Sequence, residues 1–171
     1  MAILKVARLG HPVLREKAAD VEPEDIRKGR FEQLIDDMFE TMDDYQGVGL
    51  AAPQIHIPLR IFVFAVDEAI ARRKRVPPLE AGVFFNATYE PAGENRITDW
   101  EGCLSVPLLG GEVPRWESII LRGLDINGRP AEVRVKGYPA RIFQHEVDHT
   151  DGNVYLDRMP DLTTLGYTTT L

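Results

Sequence analysis

The sequence predicts an α+β fold: mainly antiparallel sheets around a central helix that carries an HExxH-type metal motif. Three observations lead there. Strand-like segments separated by turn residues fill residues 97–135. Helical patterns flank them, at 31–45 and again from about 139. The later pattern contains Gln144-His145-Glu146-Val147-Asp148-His149.

The elements follow in order. Residues 1–24 read as an extended arm with turns at Gly10, Pro12 and Pro23. Phe31, Leu34, Ile35, Met38, Phe39, Met42 and Tyr45 then recur at the spacing of one helical face, with acidic residues opposite. Gly47 is the expected stop. "GVGLAAPQI" is a stretch of small residues. "RIFVFAV" and "GVFFNATY" read as strands, with the basic segment 72–78 as a loop between them. The clearest hairpin joins "SIILRGLDI" to "AEVRV" through Asn127-Gly128, a favoured tight-turn pair. The second helix begins near Pro139, a residue tolerated in a first helical turn, and stops by Gly152.

The chain of 171 residues has no repeat, linker or low-complexity segment, so a single catalytic domain over 1–171 is expected. Its net charge of −7 argues against a broad nucleic-acid footprint, which needs a basic surface. The run Arg72-Arg73-Lys74-Arg75 reads as solvated. The one cysteine, Cys103, cannot form an internal disulfide, which suits a reducing compartment. The N-terminal stretch lacks the apolar core of a signal peptide, and no run approaches membrane-spanning length. The expected setting is cytoplasmic, with neither nucleic acid nor membrane as a partner.

His145 and His149 are four apart, so on a helix they share a face and can grip one ion. Glu146 points toward the same side, as the general base of a metallohydrolase would. The plain alternative is a surface helix with unrelated histidines. Against it, the chain has four histidines and two fall into this pattern. A catalytic site of this kind takes about three protein ligands and leaves a position open. No histidine follows His149. Asp151 sits at the helix end and Asp157 in a polar turn. The best remaining ligand is Cys103 in "EGCLSVP"; a lone cysteine is otherwise a small core residue, but its thiolate is a strong ligand for zinc or iron. His11 and His56 read as turn residues.

"GVGLAAPQ" (47–54), "EGCLSVP" (101–107) and "QHEVDH" (144–149), in that order and at these separations, resemble the three motifs of the peptide deformylase family. "GHPVLR" (10–15) and "DINGRP" before the motif helix add to the likeness, which covers nearly the whole chain. The resemblance implies a metal-dependent hydrolase that removes the N-terminal formyl group from formyl-methionyl nascent polypeptides and releases formate. It implies Cys103, His145 and His149 as metal ligands and Glu146 as general base, then general acid. Gln54 and the backbone N–H of Leu104 would form the oxyanion hole, and the Gly49 backbone would hold the peptide extended. Val48 and Ile142 are candidates to line a pocket for the methionine side chain. Glu101 and Asp148 are candidates to fix the outer ring nitrogens of the histidines, with Arg122 as a partner for Glu101.

The implied cofactor is one divalent metal ion, iron(II) in the cell, with zinc, nickel or cobalt able to occupy the site. The implied partners are N-formyl-methionyl peptides emerging from the ribosome. Two positions depart from the family pattern: Asn86-Ala87 replaces a common Asn-Pro and reads as a loop difference, and Thr150 replaces a common leucine and is expected to loosen the helix end. The tail has no lysine or arginine after Arg158, so tail-mediated ribosome docking is not expected. Two other readings compete. A zinc endopeptidase would need a downstream third ligand, which the sequence lacks. A non-catalytic metal-binding relative would not need to keep Glu146, Gln54 and Cys103 together.

Overall fold

The structure is a computed structural model that describes residues 2–168. Met1 and residues 169–171, the end of the tail, lie outside the described residues. The arm makes a 3-10 turn at Pro12–Arg15 and leads into α1 (Pro23–Arg27) and α2 (Glu32–Asp44). Then come β1 (Gly49–Ala51), a 3-10 turn at Ala52–Ile55, β2 (Ile61–Val66), α3 (Glu68–Lys74) and β3 (Leu79–Pro91). β4 (Arg96–Cys103), β5 (Val106–Trp116), β6 (Ser118–Leu124) and β7 (Pro130–Lys136) precede α4 (Tyr138–Thr150). Two 3-10 turns and the short β8 (Gly166–Tyr167) close the described chain.

The strands form two sheets, in the orders β1-β2-β3-β6-β7 and β4-β5-β8, and every pairing within them is antiparallel. β2 shows why its run is apolar without alternation: it is covered on both faces. Phe62 and Phe64 face α4 through Ile142, Phe143 and Val147, while Ile61 and Val63 face α2 through Ile35, Met38 and Met42. A third cluster of Val106, Val113, Tyr155 and Met159 fills the space under the second sheet. α4 packs against strands of both sheets, which makes it the element between them.

Three local expectations are corrected. The basic segment is not all loop: α3 occupies its first part, capped by the Asp67 side chain, which accepts from the Ile70 N–H. Seven residues are too few to show a helical period. Asn86-Ala87 lies in an irregularity within β3, where the register shifts between Phe85 and Thr88. There Asn86 takes φ +52° and bonds both the N–H and the carbonyl of Val21, fastening the arm. Thr150 does not loosen the helix end: it is buried, its hydroxyl donates to the Val147 carbonyl at 2.8 Å, and its own carbonyl accepts the Ala18 N–H. α1 and β8 are additions the sequence pattern did not announce.

Phe143 fastens α4 to the first sheet, with ring centroids 4.8 Å from Phe64 and 6.0 Å from both Phe62 and Phe84. Phe143→Ala should lower the unfolding free energy by about 3–5 kcal/mol, the usual cost of emptying a buried aromatic site. Urea unfolding followed by circular dichroism measures it; a loss below about 1 kcal/mol would mean the cluster repacks.

Candidate active site

α4 is buried on nearly every side. One face, Ala140, Ile142, Phe143 and Val147, belongs to the core under the first sheet. Another carries Arg141, His145 and His149 in successive turns. The end of β4 meets this second face. The β4–β5 register shifts between Gly102 and Cys103, a kink of the kind that re-aims a side chain. The Cys103 Sγ lies 3.2 Å from His149 Nε2, which lies 3.2 Å from His145 Nε2. The three donor atoms all fall within 4.8 Å of one another. Ligand atoms about 2.0–2.3 Å from a tetrahedral ion stand roughly 3.3–3.8 Å apart, so a soft N₂S donor set of this size fits a zinc- or iron-sized dication.

The imidazole orientation is set from behind. His145 Nδ1 lies 2.9 Å from Glu101 Oε2, so its N–H donates there and Nε2 is left for the ion. Glu101 is gripped in turn by Arg115, whose Nε and NH2 donate to its two oxygens at 2.9 and 3.0 Å. Arg115 NH1 also reaches Asp148, which takes a two-pronged contact from Arg158. Burial alone would raise the pKa of Glu101, but hydrogen bonds from His145 and Arg115 hold it well below the carboxylate range. Burial also works against an ionised Cys103, yet the imidazoles of His149 and His145 hold the thiol well below its usual value. Tyr155 stacks over His145 with ring planes 17° apart.

A cavity of about 490 Å³ opens onto these groups, lined by Gly49, Gln54, Leu104, Ile142, His145 and Glu146 among others. Gly49 of β1 and residues 100–103 of β4 are part of its lining, each from an edge strand of its sheet. Glu146 is 4% exposed; burial pushes its pKa up to about 7, and its Oε2 has no partner among the described residues. Gln54 is held in one orientation, because its side-chain carbonyl accepts the Ala51 N–H at 2.8 Å. That leaves its amide nitrogen 3.5 Å from Cys103 Sγ and 3.3 Å from Ser105 Oγ. A methyl group at Gly49 would collide with the Glu146 carboxylate, so any larger residue there must displace that side chain.

Most residues singled out in the sequence therefore surround one cavity. Val48 lines it beside Gly47 and Gly49. Two expectations about what stands behind the histidines are corrected. Arg122 does not meet Glu101: it is exposed and pairs with Glu90 and Glu132 on the strands flanking β6. Strand alternation explains this, because Leu121 takes the inward position and Arg122 the outward one. Asp148 touches neither histidine; next to His149 it points about 100° round the helix, and it reaches the site only through Arg115. The residues sequence reasoning missed are Arg115, Arg141 and Ser105. Arg115 was findable: it falls two after inward Val113 on β5, a charged residue on a buried face. Asp151 and Asp157 are engaged by Arg60 and Arg15, and His11 packs against His56 with centroids 4.6 Å apart, outside the three-donor group.

A mixed fold of antiparallel sheets, with a thiolate and two imidazoles converging beside a buried glutamate, defines a metal-dependent hydrolase. The polypeptide deformylase profile matches residues 3–164. Peptide deformylase 1 of Bordetella pertussis is 43% identical over 166 residues, covering 97% of this chain and 93% of that protein. The Met-Ala-Ser-bound crystal structure of a class I type b peptide deformylase from Acinetobacter baumannii superposes with a TM-score of 0.86 at 35% identity, covering 92% of this chain and 99% of that one. The Thermus thermophilus enzyme superposes with a TM-score of 0.78 at 39% identity, covering 92% and 86%. The chain belongs to the polypeptide deformylase family, hydrolases that remove the N-formyl group from nascent peptides.

Two variants test the geometry. Arg115→Met leaves Glu101 and Asp148 without their shared cation and should cost about 3–5 kcal/mol in urea unfolding, as breaking a buried ion pair does. Gly49→Ala should keep the fold but displace Glu146, with kcat falling at least about 10²-fold, the scale of a lost acid–base group; an alanine variant as active as the wild type would show that the carboxylate has room to move.

Proposed function

We propose that residues 1–171 form a single catalytic domain that deformylates formyl-methionyl peptides at the Cys103, His145 and His149 site. The observation that carries this is the convergence of that donor triangle with Glu146 and the oriented Gln54 amide on one cavity. Cys103, His145 and His149 would hold one divalent ion, iron(II) in the cell by ligand type and family, with zinc, nickel or cobalt as substitutes. When bound, the ion supplies Lewis acidity that makes water a nucleophile near neutral pH.

The chain's own residues do the rest. Glu146, near neutral pKa and with a free buried oxygen, takes a proton from the attacking water and passes it to the leaving amine. The Gln54 amide and the Leu104 N–H donate to the formyl oxygen as it gains negative charge. Gln54 needs no reorganisation, because the Ala51 N–H already fixes it. The peptide lies extended between β1 and β4, with Gly49 close to its backbone and Val48 and Ile142 beside the methionine side chain. The Met-Ala-Ser ligand of the Acinetobacter structure supports a short peptide as occupant. No helix among the described residues is long and apolar enough to cross a membrane. We place the enzyme in the cytoplasm, acting on chains leaving the ribosome, with no membrane or nucleic-acid partner of its own.

Anaerobically purified protein should release formate from formyl-Met-Ala-Ser. Glu146→Ala should abolish release while retaining stoichiometric metal, and Gln54→Ala should lower kcat by about 10²–10³-fold. A strong chelator should abolish activity, and added iron(II) or cobalt(II) should restore it. A fully metallated wild type that yields no formate would defeat this reading.

A further inference from the structure

Arg141 is a buried cation that the reaction as described does not use. It stands four residues before His145, on the same face of α4. Its NH1 donates to Glu101 Oε1 at 2.7 Å and to the Val113 carbonyl at 2.9 Å. Its NH2 donates to the Ile97 carbonyl at 2.6 Å, and NH1 lies 3.5 Å from the Asp99 carbonyl. One guanidinium thus joins α4 to β4 at Ile97, Asp99 and Glu101, and to β5 at Val113. β4 is the strand that ends in Cys103, and α4 is the helix that carries both histidines.

We propose that Arg141 is a positioning residue for the metal ligands, holding the register between the helix that supplies His145 and His149 and the strand that supplies Cys103. Arg115, on β5, also spans β4 and α4, but through the Glu101 and Asp148 carboxylates, whereas Arg141 projects from α4 itself and reaches the β4 backbone at the Ile97 and Asp99 carbonyls. Arg141 also adds an N–H on Glu101 Oε1 beside the Arg115 Nε, so Oε1 takes two donors while Oε2 takes Arg115 Nη2 and His145. A planar fork with several donors suits this position, whereas lysine offers a compact ammonium that cannot reach all the acceptors together. The inference rests on the assignment of Cys103, His145 and His149 as ligands.

The test uses the full chain with Arg141→Lys, which keeps the charge, and Arg141→Met, which keeps the bulk. Metal-free protein is titrated with cobalt(II) and with zinc against a competing chelator, and the visible spectrum of the cobalt form is recorded. The affinity of the lysine variant should fall about 10–100-fold, as outer-shell losses do, with altered cobalt bands. The methionine variant should lose at least as much. kcat should fall more than KM rises. Thermal unfolding of the metal-free forms separates this from a merely structural role, which would lower the melting temperature and leave affinity and spectrum unchanged. An unchanged spectrum and affinity in the lysine variant would overturn the proposal. A wild type that binds no stoichiometric ion would instead overturn the ligand assignment and this inference with it. A wild type that binds cobalt but makes no formate would remove the deformylase reading alone.

Discussion

A carboxylate taken out of water must be given back what water supplied, and Glu101 is the point at which this fold does so. It accepts from Arg115 on β5 and from Arg141 and His145 on α4, while itself sitting on β4. Three elements from two structural layers are therefore tied to one buried anion. Breaking any of these bonds leaves charge stranded in a low-dielectric interior, which costs far more than an exposed ion pair returns. The position of His145, and through it the shape of the donor triangle, follows from this constraint.

The electrostatics around the triangle are arranged by layer. Close to the donors, two imidazoles push the Cys103 thiol well below its usual value. Behind them, the anions Glu101 and Asp148 meet the cations Arg115, Arg141 and Arg158. Glu146 has no such cation among the described residues; it is buried with one oxygen unpartnered, and burial pushes its pKa up to about 7. Both carboxylates are buried, but the partners of Glu101 overcome the burial that, unopposed by any hydrogen-bonded cation, raises Glu146. Partners, more than depth, decide the difference.

The parts of this arrangement that were legible in the sequence are those written locally. The i, i+4 histidines, the alternation of β6 and β7 and the Asn-Gly turn each depend on residues within a few positions of one another. Cys103 emerged only by elimination and by family likeness, because its contact with His149 spans 46 positions. Strand alternation sends Arg122, the expected partner of Glu101, outward, and the inward Arg115 takes the role. α3 was hidden by brevity. Asn86 was misread because its left-handed backbone and its bonds to Val21 come from tertiary context. Sequence pattern reports which face a residue occupies; it does not report which distant residue meets it there.

The cleft is bordered by the free edges of two sheets, β1 on one side and β4 on the other. A sheet edge offers backbone N–H and carbonyl groups, and such an edge is ordinarily a hazard, because any extended chain can pair with it. Where such edges border a cleft, that indiscriminate pairing becomes an asset. The groups offered by the edges match those found at every peptide bond, whatever side chains follow the first. A border of this kind recognises what all peptides share, the backbone, rather than the side chains that distinguish them.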